Sequence, residues 1–259
     1  ISISRSKRKM EQPPPLNESP SKYPFVKIPD FIQDNPGIES HFYIPCQDSE
    51  SKLATSLIVP LEESTDAAKR KKVVILCHGY HSWRNQMLLY ELAAGITKEL
   101  GYPTLRFDFE GNGHSTYVSD DQDRSRFSTQ ALSEVVEYVR KELDCKVICI
   151  MGHSLGSKTL MSYALERAEE IAKDGTILDP LSCDDFIRCY VNLAGPYPGR
   201  NIRKIKHASF LTIHGEEDEV LDVGHAYKVN EMIPNSKLCI VNAKHHLNVV
   251  KFMDKYLTN

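Results

Sequence analysis

Hydrophobic and polar positions along the chain change register at residue 73. Before that point, apolar residues are sparse and then clustered in two short runs, Phe42–Ile44 and Leu53–Val59, rich in β-branched and aromatic side chains and separated by the polar stretch QDSES. Such runs predict an antiparallel hairpin at a sheet edge. From Val73 onward the pattern alternates. Almost continuously apolar runs (73–77, 104–108, 146–151, 187–193, 210–214 and 237–241) are interleaved with helical stretches near 86–99, 129–142, 155–172, 223–232 and 247–257. Strands buried on both faces lose the simple in/out alternation, so this order predicts an α/β fold: a mostly parallel central sheet with helices on both faces. Residues 1–22, with three consecutive prolines and few apolar side chains, predict a flexible tail, and residues 23–259 a single domain.

In an open parallel sheet, ligands bind where strands end and helices begin. The chemistry-bearing residues of this chain collect at those points. After the strand KVICIM comes Gly152-His153-Ser154-Leu155-Gly156. A serine between two glycines at a strand-to-helix turn suits a tight, strained elbow that lifts the hydroxyl above the sheet. An ordinary βα loop with a serine cap would carry the same residues, so the rest of the chain has to decide. A serine nucleophile needs a base and a carboxylate that orients it. After FLTIH comes the acidic loop Gly215-Glu216-Glu217-Asp218-Glu219-Val220, with Asp222 close behind, and after CIVNA comes Lys244-His245-His246. The order serine, acid, histidine is one in which such a triad is known to be laid out. The spacing alone leaves open which acid and which of the two histidines serve.

The net charge of -3 gives no electrostatic case for a nucleic-acid partner. No apolar run approaches the roughly 18 residues needed to cross a bilayer, so stable membrane insertion is not expected. Seven cysteines lie scattered, several within apolar runs and none in a CxxC pair, which fits a reduced, cytoplasmic setting without structural zinc. His78, His114, His153 and the His245-His246 pair lack metal-ligand spacing, and GNG in EGNGHS lacks the Lys-Ser/Thr ending of a phosphate loop. No metal and no cofactor are expected.

Taken together, the motifs resemble those of the α/β-hydrolase superfamily, of the serine esterase and lipase type, over the span from Phe42 to the C-terminus. VVILCHGYHSW resembles the family's HGx loop, FDFEGNGHS its DxxGxGxS loop, GHSLG its nucleophile elbow, IHGEEDEV its acid loop and NAKHH its terminal histidine segment. The resemblance implies the α/β-hydrolase fold, with Ser154 as nucleophile, Asp218 as acid and His245, two residues after the small Ala243, as base. It also implies an oxyanion hole formed by the backbone N–H groups of Tyr80 and Leu155. Tyr80, His81 and Trp83 stand where they could line one side of the substrate pocket, with Pro196, Tyr197 and Pro198 on the other. Only Ala194 and residues 195–209 separate the NL of 192–193 from the strand FLTIH, too few for a substantial cap domain, while the longer segment 172–185 could overhang the site. Uncapped chains of this kind resemble small carboxylesterases, including feruloyl esterase-like enzymes and the serine aminopeptidase-like group. The expected substrate is a small-molecule ester or acyl compound, cleaved through an acyl-enzyme. An acyltransferase or thioesterase would use the same triad, and a catalytically silent relative would keep the fold for binding.

Overall fold

Each of the apolar runs becomes a strand. The computed structural model describes residues 37–46, 50–61, 66–116, 124–174 and 187–247. Within them lie β1 (Gly37–Pro45), β2 (Lys52–Pro60), β3 (Lys72–Cys77), β4 (Thr104–Phe107), β5 (Lys146–His153), β6 (Cys189–Leu193), β7 (Ser209–Gly215) and β8 (Ser236–Val241). They form one sheet in the order β1-β2-β4-β3-β5-β6-β7-β8. The expected hairpin is there: β1 and β2 pair antiparallel from Gly37 opposite Pro60 to Pro45 opposite Lys52. β2 also runs antiparallel to β4, and every later pairing is parallel.

Helices cover both faces, and their sequences say which side of each is buried. α3 (Arg124–Lys141) buries Leu132, Val135, Val136 and Val139, the i, i+3, i+4, i+7 stripe of an amphipathic helix. Together with α4 (Leu155–Asp174) it packs on the face that carries Val73, Ile75, Leu105 and Ile150. On the other face α2 (Met87–Gly95) sets Leu88, Leu89 and Leu92 against Val74 and Leu76. α5 (Gly224–Met232) lies between β7 and β8 in the chain. An additional single turn, α1 (Ala67–Arg70), closes the charged loop before β3, where Asp66 caps it by accepting from the Ala68 N–H at 2.9 Å.

The helix predicted over 86–99 is regular only as far as Gly95. It continues as a π-helical turn, Ile96–Leu100, ended by Gly101 at φ 72°. The wider turn buries Ile96 and Thr97, and the Thr97 hydroxyl meets that of Thr104 on β4 at 3.1 Å. Each of these two buried hydroxyls thereby has a partner. Between β6 and β7 the chain makes one 3-10 turn, Arg200–Lys204, and no cap domain. The helix predicted near 247–257, the tail of residues 1–22, Cys183 and most of segment 172–185 lie outside the described residues. Among the described residues no helix is long and apolar enough to cross a membrane.

β3 holds the centre of this layout. β4, next in the chain, lies on one side of it and β5 on the other, so the loops leaving β3 and β5 emerge side by side at the carboxyl edge.

Candidate active site

The elbow after β5 depends on two close approaches. A Cβ at position 156 would stand 2.7 Å from the His78 carbonyl oxygen and nearer still to that of Cys77. One at position 152 would run into the backbone of Gly156 and Ser157. Only glycine lets α4 start this close to β3 and turn this sharply. Between them Ser154 sits at φ 53°, the left-handed region that costs a non-glycine residue free energy. The strained residue is held from both sides. Its N–H donates to Leu193 O on β6 at 2.9 Å, and its carbonyl accepts from the Lys158 N–H at 3.2 Å. Ser157 fixes the start of α4, donating to the Gly152 carbonyl and accepting from the Leu193 N–H at 3.0 Å. Leu155 opens α4, so its N–H has no partner within the helix.

The loop after β3 lies against this elbow. A Cβ on Gly79 would come 3.2 Å from the Ser154 Cβ, so main chain rather than side chain faces the serine there. His78, fully buried, organises the loop. Its Nε2 accepts from the Phe109 N–H at 2.9 Å, which places its proton on Nδ1, where it donates to Gly79 O at 2.7 Å. Burial lowers the pKa of this imidazole and so favours the neutral form that the pair of bonds requires. Farther along, the buried Asp108 carboxylate accepts from the Arg84 backbone N–H, the Arg84 guanidinium and the His114 N–H, the last at 2.9 Å. Gly113, at φ 50°, leaves the space that this carboxylate fills. The loops after β3 and β4 are thereby tied together.

At the ends of β7 and β8, Asp218 and His245 meet. Asp218 has no exposed side-chain surface. Its Oδ1 accepts from the N–H groups of Val220 at 2.9 Å and Leu221 at 2.8 Å, and its Oδ2 accepts from His245 Nδ1–H at 2.8 Å. Burial works to raise the Asp218 carboxyl, but the donors from Leu221, His245 and Val220 outweigh it and hold the pKa below the usual carboxylate value. His214 Nε2, which donates to Leu221 O at 2.8 Å, also lies 3.2 Å from Asp218 Oδ2. Of the histidine pair, His245 is buried and His246 exposed. With its proton on Nδ1, His245 keeps a lone pair on Nε2, the atom a general base uses. The other acids of the loop face water: Glu216, Glu217 and Glu219 are exposed, Glu219 pairs with Lys244 at 2.7 Å, and Asp222 accepts from the Gly224 N–H.

The residues expected near a pocket divide. Tyr80 and Trp83 are 58% and 50% exposed, and the His81 ring, at φ 50°, lies 3.8 Å from that of Tyr80. Met87, which the sequence did not single out, adds a third large exposed apolar side chain to this short stretch. Tyr197 is half-buried against the core, and its N–H donates to His225 Nδ1 at 3.0 Å. Sequence reasoning also missed Arg84 and Gln86, which reach Asp108 after β4 and His153 at the end of β5.

The family model of the α/β-hydrolase fold matches residues 72–201, which span β3 through β6 and include the elbow, and the chain belongs to that family. Solved structures repeat the architecture. An esterase of Pyrococcus furiosus, Pf2001, superposes with a TM-score of 0.66 at 20% identity, over 87% of this chain and 91% of that one. Est1E of Butyrivibrio proteoclasticus, solved with ferulic acid bound, gives 0.63 at 18% identity over 84% and 100%. XC6422 of Xanthomonas campestris, described as an α/β serine hydrolase without a lid, gives 0.60 at 16% identity over 83% and 90%. No curated protein matches the chain.

Proposed function

We propose that this protein is a serine hydrolase that cleaves carboxylic esters of small molecules through an acyl-enzyme on Ser154. The observation that carries the reading is the 2.8 Å bond from His245 Nδ1 to the buried Asp218, because it leaves His245 Nε2 as the acceptor that an elbow serine needs. In this mechanism His245 takes the Ser154 proton as Oγ attacks the ester carbonyl. The N–H groups of Tyr80 and Leu155 receive the oxyanion, and Asp218 balances the imidazolium. The leaving alcohol takes the proton from His245, and water then repeats the sequence to release the acid. The exposed apolar stretch Tyr80, Trp83 and Met87, together with the short β6–β7 connection, suits an acyl or aryl group approaching an uncapped site. The kinship with esterase folds supports the same direction.

The test is turnover of a series of p-nitrophenyl esters of rising chain length by the parent and by Ser154→Ala. Loss of a triad serine lowers kcat by about a million-fold. Parent turnover that vanishes in the variant is the expected result. A parent inert to the whole series, or a variant as active as the parent, overturns the reading.

A further inference from the structure

We infer that His153, the residue before the elbow serine, is a positioning residue that holds the His245 main chain in place. The inference rests on the triad reading above. His153 is buried, and both ring nitrogens are occupied. Nε2 lies 2.9 Å from the His245 carbonyl oxygen, and Nδ1 lies 3.3 Å from Gln86 Nε2. The partners fix the tautomer. A carbonyl can only accept, so Nε2 carries the proton, and Nδ1 accepts from the Gln86 amide. The Gln86 amide is oriented in turn by Ser82, whose hydroxyl donates to Gln86 Oε1. One imidazole thus joins the loop after β3, the elbow after β5 and the histidine segment after β8.

That junction matters because of the sheet order. β8 lies three strands from β5, and no strand pairing connects them. His245 is anchored to Asp218 through its ring and to His153 through its main chain, and the two contacts together define where Nε2 points. His153 does not replace His245 as the base: its ring nitrogens are engaged, and burial drives its pKa down to about 4 against the opposing, raising effect of the bond to the His245 carbonyl. The rings of His245 and His246 lie 4.9 and 5.7 Å from its own, and Asp218 is the nearby acid. A neutral His153 is therefore the form that keeps both bonds.

The experiment compares His153→Leu, which keeps bulk and removes both bonds, with His153→Gln, whose amide can donate to His245 O and accept from Gln86. Two readouts are taken on the full chain: kcat and KM on p-nitrophenyl esters, and solvent exchange of the His245 Nδ1 proton in 15N-histidine-labelled protein, assigned by its loss in His245→Gln. A misplacement of about 1 Å costs about a hundredfold in rate. The Leu variant is expected to lose about ten- to a hundredfold in kcat with KM within about twofold, and to exchange the Nδ1 proton about tenfold faster, while Gln restores both to within about threefold. Should Leu fail to fold, Gln86→Met tests the same clamp with residue 153 intact and is expected to speed exchange in the same direction. Unchanged exchange in the Leu variant, or equal losses in Leu and Gln, overturns the inference. The expected exchange pattern in a protein that hydrolyses no ester would uphold the clamp while refuting the esterase reading.

Discussion

Replacing Gly156 by alanine adds one methyl group where the chain has no room for it. Both obstacles are backbone carbonyl oxygens, on Cys77 and His78, so no side chain can rotate away. At His78 O the contact would be 2.7 Å, about 0.7 Å short of ordinary van der Waals distance, and the deficit at Cys77 O is larger. Relief has to come from the first turn of α4 backing away from β3 by roughly that amount. Overpacking costs about 1–3 kcal/mol in general and about 2–3 here, where neither obstacle can rotate away, and the better helix propensity of alanine returns about 1. A net loss of about 1–2 kcal/mol lowers Tm by about 2–8 °C in a chain of this size. The same displacement carries the Leu155 N–H away from the oxyanion position proposed for it, so kcat is expected to fall by about a hundredfold, a larger proportional effect than the change in stability. Chemical denaturation and ester turnover on one preparation measure both. Lys158→Ala, on the exposed side of the same helix, is the control and is expected to stay within about 0.5 kcal/mol of the parent. If Gly156→Ala keeps full turnover and an unchanged Tm, the close approach of α4 to β3 is not what sets the elbow.

Three further outcomes are expected. His246→Ala should retain turnover within about threefold, whereas His245→Ala should lose it by several orders of magnitude, because only His245 is bonded to Asp218; steady-state kinetics on one ester decides. Glu39→Gln removes the carboxylate paired with the fully buried Arg106 guanidinium and should cost about 3 kcal/mol, read as a lower urea midpoint at constant slope. The pKa values of His153 and His207 are both lowered to about 4 by burial, so the unfolded chain takes up protons at these sites first as pH falls. Their contribution is absent above about pH 6.5 and becomes destabilising from there down to about pH 4, reaching at most about 3 kcal/mol for His153; urea titrations across that window should show the midpoint falling, and a flat profile would refute it.

The strands were legible in the sequence because burial on both faces leaves little choice of residue: VVILC and KVICIM stand out as nearly unbroken apolar runs, and both became strands. The glycines of the elbow were legible for a similar reason, since close backbone approaches admit no other residue. The end of α2 was not legible, because apolar periodicity does not separate a π turn from a continuing α-helix, and the Thr97–Thr104 contact beside it is made only once β4 is in place. The resemblance pointed to His245 by its place two residues after Ala243, but what sets His245 and His246 apart physically lies in the tertiary structure. The two differ in burial and partner, and a spacing rule cannot display either. Least visible were the links between loops. Arg84 to Asp108 and His153 to the His245 carbonyl join residues far apart in the chain, with no local periodicity to announce them.

The most direct test of the whole account is to treat the protein with a fluorophosphonate and locate the adduct by peptide mass spectrometry. The account predicts a single covalent adduct on Ser154, absent in Ser154→Ala and strongly slowed in His245→Ala. A folded parent that acquires no adduct, or one that acquires it at another residue, would contradict the central claim that the elbow serine is an activated nucleophile.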